Sequence, residues 1–472
     1  MALLRRLVWT LAAAAMTMPG MLPESDLPRE KPYTSVFSAT SSNSGEPFYD
    51  LVTTFYDDPH SSRAFAWEAM PEYRNMVIQY GTGESEYAYQ LRAKAELYPV
   101  ADAKNTEAAV DESVYNAEYI TPERDMLFYR VAVKNLEPGT KYIYRIGDTE
   151  KNVWSGFYEF TTEPEKTDSF SVIAVSDPQG RTAAEYKNYT NTLNAAKNDR
   201  QDAAFIINMG DFTDNANYDD WWRYFFDASA GTKESLPLMT AIGNHENRGS
   251  GTKYYNLHFY NPQNGAGLGR WYKSAPDEDK ALPIIQNLDN TVYSFDYGNA
   301  HFAVINTGTD WEPRSMEQLL KMQRLWLESD LARTTKRWKI LLTHIGVYVQ
   351  KPRENIVREV LGSTIDKYGV DLVLEGHDHT YMRTYQMKNE KRVSERLTGL
   401  WSGEGTVYSI IGSAALKRYH SKEEHPYVAV LKNIPSKTPS YTLLDFTSKQ
   451  LTFTEKLIDG TVIDEFTIDK LE

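Results

Sequence analysis

A chain of 472 residues with 41% hydrophobic and 13% aromatic side chains has material for two or three packed cores, which excludes a disordered chain. The formal net charge of -14 excludes a nucleic-acid or anionic-membrane binder built on a broad basic face, although it leaves room for a local basic pocket. No cysteine is present, so disulfides, thiolate ligands and a lipid-modified cysteine are excluded too.

Arg5 and Arg6 followed by the apolar run Leu7 to Met16 have the layout of a secretory signal peptide, with Ala13-Ala14-Ala15 as a small-residue cleavage region. The run is too short to span a bilayer. A signal segment is therefore expected over 1–22, in a secreted or extracytoplasmic, bacterial protein with no stable membrane span. Residues 23–47, with Ser41-Ser42-Asn43-Ser44-Gly45, read as a linker.

From 48 to 163 short alternating runs are separated by turn residues. Tyr129, Val131 and Val133 share one face, Leu136 to Thr140 makes a turn, and Tyr142, Tyr144 and Ile146 resume the alternation. This pattern predicts an all-β sandwich whose tyrosines pack a core rather than form a carbohydrate-binding face.

Over 169–420 the pattern switches to strands alternating with helices, a layered α/β domain. Strands are predicted at Phe170 to Ser176, Ala203 to Met209, Leu236 to Ile242, Val292 to Tyr297, His301 to Asn306, Trp338 to His344, Val370 to Glu375 and Val407 to Ile411. Helices are predicted at Ala183 to Lys197, Asp219 to Asp227, Ser315 to Ala332 and Asn355 to Tyr368, the last stopped by Gly369. The tail, 421–472, alternates again around Asp459-Gly460 and is expected to add edge strands to this domain.

The predicted strand ends carry Asp177-Pro178-Gln179, Gly210-Asp211-Phe212-Thr213-Asp214, Gly243-Asn244-His245-Glu246, Thr343-His344 and Gly376-His377-Asp378-His379. Carboxylate, amide and imidazole groups thus gather on one sheet rim, where open α/β folds place ligands. Such a mixed oxygen and nitrogen set suits two metal ions sharing one carboxylate, and Asp211 is the natural bridge. A metal-activated hydroxide there would attack phosphorus in line.

With Leu136 to Tyr142, Trp154-Ser155 through Thr162, Tyr293 to Gly298 leading to His301-Phe302, and Gly376 to Arg383, the chain resembles a metallophosphoesterase of the purple acid phosphatase type with a fibronectin-like N-terminal domain. The resemblance implies a double-sheet sandwich flanked by helices. It implies Asp177, Asp211 and His379 as ligands of a first metal, and Asp211, Asn244, His344 and His377 as ligands of a second, with iron, manganese or zinc expected and calcium also compatible. His245 would contact the phosphate or protonate the leaving oxygen.

Three departures from that family stand out. Asp214 replaces a tyrosine whose phenolate gives purple members their colour, so a colourless protein is expected. Gln179 replaces a histidine or glycine and is either a ligand or a turn residue; Asp214 either ligates or acts from behind the ligands. Where relatives have a substrate-contacting histidine after the residue matching His344, this chain has Lys351 and Arg353, either phosphate contacts or solvated cations. The expected activity is hydrolysis of a phosphomonoester on a small phosphorylated substrate. A phosphodiesterase or nucleotide hydrolase, and a surface-binding protein with an inactive phosphoesterase domain, are the alternatives. The loop Arg248 to Leu288, with Tyr254, Tyr255, Trp271 and Tyr272, is expected to wall the substrate site, its aromatics packing the loop or stacking on a base or sugar.

Overall fold

The computed structural model describes residues 47–83, 89–103, 120–265, 290–308, 313–348, 355–417, 425–432, 434–435 and 437–470. The expected signal segment and nearly all of the linker lie outside them. No helix among the described residues is long and apolar enough to cross a membrane.

The first nine strands are β1 (Phe48–Thr54), β2 (Ser62–Ala69), β3 (Met76–Gly81), β4 (Tyr89–Arg92), β5 (Lys94–Val100), β6 (Arg124–Lys134), β7 (Lys141–Asp148), β8 (Val153–Trp154) and β9 (Tyr158–Thr161). They form two antiparallel sheets, ordered β1-β2-β6-β5 and β4-β3-β7-β8 with β9 on β7. Period-two alternation turns Tyr129, Val131 and Val133 of β6 inward, together with Tyr142, Tyr144 and Ile146 of β7. Trp67 stacks on Tyr129 with centroids 5.6 Å apart. These tyrosines are core, and truncating a buried aromatic like Trp67 to Ala would cost about 3–5 kcal/mol.

The second domain contains β10 (Ser169–Val175), α1 (Ala183–Asp199), β11 (Phe205–Asn208), α2 (Asp219–Ala228), β12 (Leu238–Thr240), α3 (Gly251–His258), β13 (Tyr293–Tyr297), β14 (Ala300–Ile305), α4 (Pro313–Arg333), β15 (Trp338–Thr343), α5 (Ile356–Tyr368) and β16 (Leu372–Glu375). It continues through β17 (Tyr381–Thr384), β18 (Met387–Lys388), β19 (Lys391–Arg392), β20 (Leu400–Trp401), β21 (Val407–Ile410), β22 (Val428–Lys432), β23 (Ser440–Thr447), β24 (Gln450–Leu457) and β25 (Val462–Asp469). Two seven-stranded sheets result, ordered β12-β11-β10-β23-β24-β25-β20 and β13-β14-β15-β16-β21-β17-β22.

Phe205, Phe302, Leu342, Leu374, Phe446 and Phe453 belong to the core between the sheets. Tyr186, Tyr189, Phe225 and Tyr255 on α1, α2 and α3 cover the outer face of the first sheet. Leu319, Leu327, Val357 and Leu361 on α4 and α5 cover the second. Thr182 caps α1, its hydroxyl accepting the Glu185 N–H at 3.3 Å, and Gly369 ends α5 at φ 62°.

The tail departs from expectation. β23 pairs with β10 and β24 lies between β23 and β25, so these strands are interior, not edge. The reason is two-sided burial: Tyr441 and Leu443 face the helices while Leu444 and Phe446 face the other sheet. Gly460, at φ 88°, lies in the turn after β24.

β10, β11 and β12 run parallel, as do β14, β15, β16 and β21. A bridge between Ser176 and Ser413 joins the two sets at their carboxyl ends, so both sheets deliver loops to one rim.

Candidate metal centre

Asp177 follows β10, Asp211 follows β11, Asn244 and His245 follow β12, His344 follows β15, and His377 and His379 follow β16. Asp177, Asp211, His377 and His379 all have left-handed backbones, with φ of 52°, 55°, 69° and 49°. That conformation costs a residue with a Cβ about 1–3 kcal/mol, so four instances at one rim mark a functional constraint. Glycine is required beside them: a Cβ on Gly210, at φ 103°, would lie 2.8 Å from His344 Nδ1, and one on Gly243 would collide with the Asp211 carboxylate.

Two groups of ligand atoms converge, Asp211 with His344 and His377, and Asp177 with Asp211 and His379, each group within 4.8 Å. Asp211 belongs to both. Its Oδ1 lies 3.2 Å from His344 Nε2, and His379 Nε2 lies 3.4 Å from Asp177 Oδ1. Asn244 joins the first group, its Oδ1 3.1 Å from His344 Nε2 and 2.8 Å from His377 Nδ1.

Proton positions fit cations at both groups. His344 Nδ1 donates to the Met209 carbonyl at 2.7 Å and His379 Nδ1 to the Lys417 carbonyl at 3.3 Å, which leaves both Nε2 lone pairs facing the carboxylates. Gln179 is buried, with Nε2 3.4 Å from Asp211 Oδ2 and 3.2 Å from His379 Nε2, while its Oε1 has no hydrogen-bond partner. A half-turn of that amide brings the orphaned oxygen to the ligand face, so the side chain fits a ligand there.

The electrostatics follow from crowding. Burial pushes Asp177 up to about 6, helped by Asp211 and opposed by His344. Burial also acts to raise Asp211, but His344 and His245 outweigh it and hold that carboxyl well below the usual range. Burial would lower His344, yet Asp211 carries it up to about 10. His245 is lowered by burial; its backbone N–H donates to Asp211 Oδ1 at 3.0 Å and its Nδ1 meets the Asp214 carbonyl at 2.5 Å.

Asp214 stands apart from both groups. Its Oδ2 accepts from Arg181 Nε at 2.6 Å and its Oδ1 lies 3.5 Å from Lys417 Nζ. Of the two readings left open for it, the geometry favours action from behind the ligands. Lys351 and Arg353 lie outside the described residues, as do Trp271 and Tyr272. Tyr254 and Tyr255 are buried in α3, Tyr255 Oη bonded to Thr240, so they pack this loop.

Sequence reasoning assigned no role to Glu246, Arg181 or Lys417. Glu246 is buried and accepts the backbone N–H groups of Asp211, Phe212, Thr213 and Gly243 at 2.9, 2.8, 3.3 and 3.0 Å. Its signal was present, an acid directly after Asn244-His245. Lys417 carries none.

The calcineurin-like phosphoesterase family profile matches residues 170–381, and that of the purple acid phosphatase N-terminal domain matches 49–162. The chain belongs to the purple acid phosphatase-like metallophosphoesterases. Among its relatives, a protein named probable inactive purple acid phosphatase 27 from Arabidopsis thaliana is 28% identical over 375 residues, 73% of this chain and 58% of that one. Acid phosphatase type 7 of Mus musculus is 27% identical over 318 residues, 62% of this chain and 65% of the relative. This phosphoesterase thus spans under two thirds of the length of either. The purple acid phosphatase from yellow lupin (Lupinus luteus) seeds superimposes with a TM-score of 0.71 at 19% identity, over 90% of this chain and 75% of that one, which shows the shared two-domain fold. The named relatives come from plants and mammals, so the expected bacterial origin gains no support.

Proposed function

We propose that this phosphoesterase is a binuclear metal-dependent phosphohydrolase acting on a small phosphomonoester. The observation that carries this reading is Asp211, one carboxylate shared by two converging groups of ligand atoms. Asp177, Asp211, His379 and Gln179 would hold one ion; Asp211, Asn244, His344 and His377 would hold the other. A bound metal pair supplies Lewis acidity toward a phosphoryl oxygen and lowers the pKa of water into the neutral range.

The protein's own groups do the positioning. Glu246 fixes the Asp211 loop through its backbone N–H groups, so the shared carboxylate is held before substrate arrives. His245 gives Nδ1–H to the Asp214 carbonyl, which reserves Nε2, 3.7 Å from Asp211 Oδ2, for the reacting group. In hydrolysis the water oxygen bonds to phosphorus, the ester P–O bond breaks, and the leaving oxygen takes its proton from His245 Nε2. Its pKa, lowered by burial, means that His245 holds this proton best when an anion is bound beside it.

Two relatives carry the word inactive in their names, which gives substance to a non-catalytic reading. The presence of Asp177, Asp211, Asn244, His344, His377 and His379 around one rim favours turnover. Assay on an aryl phosphate and an aryl phosphodiester, with metal analysis of the purified protein, decides between them. Hydrolysis of the monoester is expected; no hydrolysis of either ester with Mn, Fe, Zn or Ca supplied, and no co-purifying metal, would sink the proposal.

A further inference from the structure

Asp214 occupies the position of a metal-binding tyrosine in the resembling family, yet its carboxylate faces two cations. Arg181 Nε lies 2.6 Å from Oδ2 and Lys417 Nζ 3.5 Å from Oδ1. The Asp214 side chain is 7% exposed, whereas those of Arg181 and Lys417 retain 35% and 30%. One buried carboxylate therefore anchors two cations whose side chains still reach water.

The backbone fixes this arrangement beside the ligands. The Asp214 N–H faces the Gly180 carbonyl at 3.5 Å, lacing the loop after β11 to the loop after β10. Arg181 comes two residues after Gln179 and directly before Thr182, which caps α1, and its own N–H donates to Glu185 Oε2 at 2.7 Å. The Lys417 carbonyl accepts from His379 Nδ1 at 3.3 Å, so this residue is tied straight to a ligand imidazole. Asp214 in turn carries the carbonyl that orients His245.

The charge ratio argues for a ligand. A single arginine would satisfy the Asp214 carboxylate; placing two cations on one acid, in a chain of net charge -14, biases this edge of the rim positive. Two metal ions already neutralise one phosphoryl group, so cations set beyond them match charge carried elsewhere on the substrate. Arginine with lysine is also the pairing that suits phosphate oxygens, a planar fork beside a point charge.

We infer that Arg181 and Lys417, positioned by Asp214, bind a second phosphate of the substrate beyond the scissile one, so that the site prefers a phosphate chain to a simple monophosphate. This rests on the phosphohydrolase reading above and names its substrate class.

The test is calorimetric binding of methylphosphonate and methylenediphosphonate, neither of which is hydrolysed, to the metal-loaded protein. Metal content is measured before and after, and aryl phosphate turnover is assayed on the same preparation. The wild type is expected to bind the bisphosphonate tenfold or more tightly than the monophosphonate, on the scale of one charge-assisted hydrogen bond. The double variant Arg181→Ala/Lys417→Ala should lose most of that preference with both ions retained, and Lys417→Met or Asp214→Asn alone should lose part of it.

Equal binding of the two phosphonates by the wild type, or an equal loss for both in the double variant, would overturn the inference. Loss of metal in the double variant would overturn it too, since the cations would then be supporting the ligands. Turnover without a bisphosphonate preference would refute this inference alone; a preference without turnover would refute the hydrolase reading and leave the anion site standing.

Discussion

Glu246 accepts the backbone N–H of Asp211 at 2.9 Å, so the carboxylate shared by both ligand groups is held from behind by a second, fully buried one. The same side chain takes N–H groups from Phe212, Thr213 and Gly243. Glutamine at this position presents an NH2 group to at least one of those donors. Glu246→Gln should therefore destabilise the protein by about 2–3 kcal/mol, the scale of a buried hydrogen bond lost at a charged group, and weaken metal retention. Urea unfolding and metal analysis check this. Unchanged stability with two ions retained would show that the clamp is dispensable.

His245 is assigned the proton for the leaving oxygen, so its importance should grow as the leaving group becomes more basic. His245→Gln should slow an alkyl phosphate by about 10²–10⁴-fold and an activated aryl phosphate much less. The dependence of kcat on leaving-group pKa measures this, and equal loss on both esters would reassign His245 to binding alone.

Much of this site was legible because its ligands sit where apolar runs stop. The runs ending at Val175, Asn208, Thr343 and Glu375 are short and buried, and each is followed by a polar cluster. What stayed hidden is what local pattern cannot encode. Arg181 and Lys417 meet at Asp214 only after the loops following three different strands have converged. β23 looks like any alternating strand, and only the sheet order shows that both of its faces are covered. The helix over Gly251–His258 was masked by the glycines and asparagines around it.

Asp214 bears on metal identity. With a carboxylate there, paired to Arg181 and Lys417, no phenolate ligand is supplied from this position, and iron-loaded protein is expected to be colourless. Asp214→Tyr should introduce visible absorption if the first site takes ferric iron through the new phenolate. An iron-loaded variant that stays colourless would place this residue too far from the ion.

The junction between the domains gives a pH dependence. Asp50 of β1 is buried near Glu68 of β2, Asp219 and Arg223 of α2, His258 of α3, and Lys233 and Asp227. Burial pushes Asp50 up to about 8, with Arg223 opposing. The folded state thus keeps a proton that the unfolded chain releases near pH 4. By linkage, this group's contribution is fully present below about pH 4 and is lost as the pH rises through about 8, a change of a few kcal/mol. Asp50→Asn cannot titrate, and asparagine tolerates the φ of 59° found here. Stability measured between pH 5 and 8 should fall less steeply in the variant, and parallel curves would contradict the assignment.

The shared carboxylate is tested most directly by counting ions. Metal analysis of the wild type and Asp211→Ala, with aryl phosphate turnover on the same samples, should give two ions per wild-type chain. The variant should hold fewer than two and lose turnover by about 10³-fold or more, the scale of a lost metal site. Two tightly held ions and near-normal turnover in Asp211→Ala would contradict the account.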